Sequence, residues 1–213
     1  MTNLYSPFLI IHIACGFTAL LSGLIAIVAK KGQKIHKKAG LVYFYSMLGV
    51  SSTAFIISII KSNDFLLFIS LFAFFQTFNG YRSIKVKDLK PTPIDWLVLV
   101  VGAINTGCML YSFDTILLVF GGISLWLVLS TFKLYLATSK NKELPKTLWL
   151  TRHIGMMLGA YIATTTAFIV VNISYAAVPW LPWLLPTFIG VPLIAYWTNK
   201  YKPKKKNYPK QFN

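Results

Sequence analysis

The sequence predicts an all-α, polytopic membrane bundle of seven transmembrane helices, N-terminus outside and C-terminus in the cytoplasm. Three observations carry this. Of 213 residues, 56% are hydrophobic and 12% charged, with a mean hydropathy of +0.63. A soluble domain carries about 25% charged residues, so that class is excluded. The apolar residues gather into seven stretches, each near the length a helix needs to cross roughly 30 Å of hydrocarbon. Finally, twenty of the 21 Lys and Arg fall in alternate connections.

The stretches run 7–29, 40–60, 65–81, 96–113, 115–136, 154–177 and 184–198. Lipid offers no hydrogen bonds to a bare backbone, so each must be a helix. The apolar run from Trp96 to Leu136 is too long for one span, and Asp114 marks the turn that divides it. The third and seventh stretches are short, and Pro186 and Pro192 interrupt the seventh. Pro179, Trp180, Pro182 and Trp183 read as an aromatic segment at headgroup level on the outer side. Residues 1–199 form one helical bundle, and 200–213 a basic tail.

Orientation follows from the loops. Lys30, Lys31, Lys34, Lys37 and Lys38 lie in the first connection, and Arg82, Lys85, Lys87 and Lys90 in the third. Lys133, Lys140, Lys142, Lys146 and Arg152 surround the fifth, and six lysines the tail; Lys61 alone falls opposite. The positive-inside rule puts the basic side in the cytoplasm, and the location is the inner membrane. Met1–Ser6 carries no Lys or Arg, which argues against a signal peptide. The formal charge of +16 is a topology signal. The tail touches anionic lipid, and no interleaving of aromatic and basic residues suggests nucleic acid. Cys15 and Cys108, both in apolar stretches, form no disulfide framework.

Polar groups at membrane depth are costly and mark function or interhelical bonding. The three histidines stand in related contexts: His12-x-x-x-Gly16, His36-x-x-x-Gly40, and His153-x-Gly155 leading to Gly159. A small residue beside an imidazole leaves a notch for a neighbouring helix or for a planar cofactor. His12 and His36 are 24 residues apart, about 36 Å along a continuous helix, and cannot share a site unless the chain folds back. His36 and His153 lie at one depth on the cytoplasmic side, with Gln76, Asn79, Arg82, Asp95, Lys133 and Arg152. Gln76, Asn79 and Ser83 share a helix face. Asp95 is placed to cap a helix start and to pair with Arg82 or Arg152. Each histidine also has a structural reading, as a hydrogen-bonded group of the bundle. Asn105, Thr164, Thr165 and Thr166 read as interhelical hydrogen-bonding groups.

The opening His12-x-x-x-Gly16, the Gly- and Lys-rich loop, and then His36-Lys-Lys-Ala-Gly40-Leu-Val-Tyr43 resemble a bacterial family of multi-helix membrane proteins known as a domain of unknown function. His153-Ile-Gly155 is the later mark of that resemblance. It implies a helical bundle with prominent histidines, and it supplies no reaction, ligand or catalytic residue.

Two histidines from different helices at one depth are what a six-coordinate haem b requires. In that electron-transfer reading His36 and His153 are axial ligands and Arg82 and Arg152 hold the propionates. A second reading makes His36, His153 and Asp95 a Zn or Fe site that activates water. A third is non-enzymatic: an accessory subunit of a larger membrane complex. A transporter is the fourth, encouraged only by the prolines of the seventh stretch, with no inverted repeat between the halves.

Overall fold

In a computed structural model of the chain, the residues described are 6–142, 144–173 and 180–201. They form seven helices: α1 (Ser6–Val28), α2 (Lys34–Lys61), α3 (Asp64–Lys85), α4 (Pro93–Tyr111), α5 (Thr115–Ser139), α6 (Leu148–Asn172) and α7 (Leu181–Tyr201). Six are long and apolar enough to cross a membrane; α3 is not among them. Its 22 residues reach about 33 Å, so length is no obstacle. What sets it apart is the polar run Gln76, Thr77, Asn79, Arg82, Ser83 and Lys85.

Packing explains how α3 tolerates that run. It lies against α2, α4 and α6, so its polar residues face other helices. Gln76, Thr77, Asn79 and Ser83 are all buried. The outer surface is the reverse, with Ile10, Leu21, Val28, Trp126, Phe188 and Ile189 each more than 60% exposed. An apolar exterior around a partly polar interior is how a chain solvated by lipid is built.

The contact between α3 and α6 divides the interior in two. On one side, Phe72, Phe75, Val98, Leu99, Leu117, Phe120, Val128 and Met156 join α3, α4, α5 and α6. On the other, Ala19, Tyr43, Met47, Ala73 and Ala160 join α1, α2, α3 and α6. Small residues set some of the closest approaches. A Cβ on Gly102 would meet the Phe75 ring at 2.6 Å, and one on Gly80 would meet Met157 Sδ at 2.7 Å.

Helix ends differ from the sequence expectation. α2 begins six residues before the expected 40 and α6 six before the expected 154, so His36 and His153 stand inside first and second turns. Polar residues are accepted there because an end turn lies near the headgroups. α7 runs unbroken through Pro186 and Pro192. The expected interruption does not occur, since neighbouring helices and local adjustments accommodate proline in membrane helices. Trp183, in the first turn of α7, packs edge-on against Phe65 at 5.3 Å, while Pro179 lies outside the described residues. The basic tail beyond residue 201 also lies outside them.

Candidate functional site

The α1–α2 turn builds the first half of the site. The last carbonyls of a helix have no partner within it and must find donors elsewhere. At the end of α1, Ala26 O accepts from Lys31 Nζ at 3.2 Å and from His36 Nδ1 at 2.9 Å, and Ile27 O accepts from Lys31 as well. His36 therefore reaches back from the first turn of α2 to close α1. Partial burial holds the Lys31 ammonium below the usual lysine pKa. The same ammonium lies 4.9 Å from the Trp197 ring of α7.

The second half comes from α6. His153 Nδ1 donates to Gly80 O on α3 at 2.9 Å. A carbonyl only accepts, so Nδ1 carries the proton in both residues and Nε2 keeps its lone pair. The two rings lie with centroids 6.5 Å apart and planes at 86°. Gly40, one turn on from His36, and Gly155 have open space at the position of an added Cβ. Gly159 does not: the Gln76 carboxamide fills its notch.

Arg82, Asp95 and Arg152 belong to a second cluster, on the α4–α5 side of α3. Arg82 binds Asp95 in a fork, Nε to Oδ1 at 2.7 Å and Nη2 to Oδ2 at 2.6 Å. Asp95 Oδ2 also accepts from Thr92 N at 2.7 Å and from Thr92 Oγ1 at 2.6 Å, which ties down the start of α4. Arg152 Nη2 donates to Asn79 Oδ1 at 3.0 Å and to Thr131 Oγ1 at 2.7 Å. Tyr135 OH donates to the same Asn79 Oδ1 at 3.1 Å.

The set His36, His153 and Asp95 is thus not assembled. Asp95 spends both oxygens on Arg82 and Thr92, and no group of three or more His, Cys, Asp or Glu suited to a metal occurs among the described residues. The pairing of Asp95 with Arg82 and its place at a helix start are both as the sequence suggests. Neither arginine points its donors at the histidines: Arg82 is matched by Asp95, and Arg152 turns to α3 and α5.

His12 stands apart in α1. Its Nδ1 lies 3.2 Å from Val50 O and 3.0 Å from Thr53 Oγ1, both on α2. This is the hydrogen-bonded bundle role. Asn105 Nδ2 bonds Phe68 O across to α3 at 3.1 Å, and Thr164 Oγ1 reaches Met47 Sδ on α2 at 3.0 Å. Thr165 and Thr166 keep buried hydroxyls without a partner. Sequence reasoning missed Tyr135 and Thr131, which resemble any other apolar-helix residues until α5 packs beside Asn79. It also missed the backbone anchors Ala26 O and Gly80 O, which no side-chain pattern reveals.

Comparison with known proteins adds the class. No curated protein and no solved structure matches the chain. A family model described as "Predicted membrane protein (DUF2306)" matches residues 9–93, a segment that holds His12, His36 and all of α2 and α3 but not His153. With six helices able to cross a bilayer, the chain is a multi-pass integral membrane protein in contact with lipid along its outer faces.

Proposed function

We propose that this protein is a haem b-binding electron-transfer module of the cytoplasmic membrane, with His36 and His153 as the two axial ligands. The observation that carries the reading is the pair of imidazoles 6.5 Å apart, each anchored through Nδ1 to a main-chain carbonyl. Two imidazoles on opposite faces of one metal, at roughly 2 Å bonds, have ring centres about 6 Å apart. Anchored Nδ1–H groups fix ring orientation and raise the basicity of Nε2, as in metal-ligating histidines generally. The open flank of Gly40, on the same face of α2 one turn from His36, supports it with flat surface.

When bound, haem b supplies a one-electron couple. The chain's own residues hold the ligand nitrogens. Ala26 O and Gly80 O keep each proton on Nδ1. Arg82 and Arg152 have no part in this assignment, because Arg82 is paired with Asp95 and Arg152 turns to Asn79 and Thr131 on the other side of α3. The topology that goes with it has seven spans, α3 included, and the basic ends of the helices in the cytoplasm.

A second reading has its own support. Both histidine bonds join different helices, α2 to α1 and α6 to α3. As interhelical latches they would suffice for an accessory subunit of a larger complex. Protein purified in mild detergent decides. A Soret band with about one iron per chain, lost in H36A and in H153A, is expected. A stoichiometric metal without a Soret band points instead to a bis-His metal site, and neither feature points to the accessory role.

A further inference from the structure

The end of α1 and the start of α2 form an open apolar groove on the outer surface of the bundle. It is lined by Leu24, Ile25, Val28, Ala29 and Ile35 and measures about 400 Å³. An enclosed apolar cavity of about 150 Å³ already takes benzene, so this volume takes a stretch of hydrocarbon chain. Val28 closes α1 and Ile35 stands in the first turn of α2, and both are more than 60% exposed. Apolar surface at a helix end, beside a loop of lysines, meets water unless something apolar covers it.

Cations border the groove. Lys30 follows Ala29 directly, and Lys34 and Lys38 share a face of α2 on either side of Ile35 along the chain. All three are exposed. Lys31 is committed instead, since its ammonium bonds Ala26 O and Ile27 O and lies 4.9 Å from the Trp197 ring. No acidic residue precedes Asp64 in the sequence. Among the described residues the only ion pair is Arg82 with Asp95, on the far side of α3. The start of a helix carries partial positive charge, and no acidic residue in the first turn of α2 offsets it.

We propose that this groove binds one anionic phospholipid, with an acyl chain against Leu24, Val28 and Ile35 and the headgroup phosphate against Lys30 and Lys34. Charge selects this occupant. A second copy on a two-fold axis would bring the same lysines to the same place, where like charges repel. The segment beyond residue 201 carries lysines as well. A phospholipid of net negative charge matches both halves of the site, with hydrocarbon for the apolar wall and an anion for the cations at its edge. The site does not rest on the haem reading.

Full-length protein in detergent tests it by native mass spectrometry, titrated with phosphatidylglycerol and, separately, with phosphatidylcholine. One phosphatidylglycerol should be retained saturably, about tenfold or more tighter than phosphatidylcholine. K30Q/K34Q should weaken that retention by about tenfold or more, the scale of two lysines at an anionic headgroup. K140Q/K142Q removes the same charge from exposed positions just past α5 and should leave it unchanged. V28W fills the groove from a lipid-facing position and should weaken retention by about threefold or more, through lost apolar contact. Should V28W fail to fold, I25W serves in its place. The proposal is overturned by equal retention of the two lipids, or by a folded groove variant that leaves retention unchanged. It is equally overturned if the two lysine pairs have the same effect, which would mark attraction to net charge alone. A dimer in lipid-free detergent that the groove variant dissociates would give the groove to a second copy and overturn the lipid assignment.

Discussion

An imidazole bound through Nδ1 to a carbonyl offers one lone pair at Nε2 and nothing else. His36 and His153 both do this, with ring centroids 6.5 Å apart, and His12 makes the same kind of bond alone. Glutamine retains a donor that reaches a carbonyl but ligates haem iron poorly. H36Q and H153Q are therefore expected to fold, by size-exclusion profile, and to lose the Soret band. H12Q is expected to keep the spectrum and to lose about 1–2 kcal/mol of stability, one hydrogen bond in a bundle. Retention of the band in H36Q or H153Q would refute the ligand assignment. The shared depth of His36 and His153 was legible in the sequence, because helix ends follow from the basic loops. The roles of Arg82 and Arg152 were not. Which way a side chain turns from a helix depends on neighbours that only packing reveals, and Arg152 turns away from the residue beside it.

At the scale of elements, glycines divide by what lies beside them. The Gly159 notch holds Gln76, whereas Gly40 and Gly155 face open space. G159A forces the Gln76 carboxamide out of its place, and overpacking of this kind costs about 1–3 kcal/mol. G155A meets nothing, so its unfolding midpoint in detergent should equal or exceed that of the parent, since alanine favours helix. If the flank of Gly40, one turn from His36, receives a flat cofactor, G40L should fold and yet lower the occupancy read by the Soret absorbance. All seven helices were legible, because apolar runs of this length have few alternatives. Their first turns were less so. α2 starts in the lysine-rich segment from Lys34, which looks like loop by composition. α4 starts where Asp95 reaches back to Thr92, and that bond extends the helix ahead of its apolar run.

At the scale of the molecule, two interiors share the α3–α6 wall, and each ends in its own polar site on the basic side. That division was hidden in the sequence, where His153 and Arg152 are neighbours and read as one site. Consecutive positions on a helix point about 100° apart, and here the angle sends them into different compartments. The even alternation of basic loops holds only if α3 crosses the bilayer. Reporter fusions after Lys61 and after Tyr201 should therefore report opposite sides, with the second in the cytoplasm. Both on one side would mean an even number of spans between them and the loss of α3 or another helix from the membrane.

The polarity of α3 bears on how the chain is made. α3 leaves the ribosome with Arg82 exposed, and the carboxylate that neutralises it lies 13 residues downstream on α4. Neither lipid nor water suits the intermediate: the helix is too polar to enter alone and too apolar to stay out. In the proposed seven-span topology, insertion of α3 must wait for α4, and the two should enter the bilayer as one hairpin. A chain truncated at residue 90 is expected to leave α3 accessible to a membrane-impermeant thiol reagent at an introduced S70C, whereas a chain extended to residue 113 protects it.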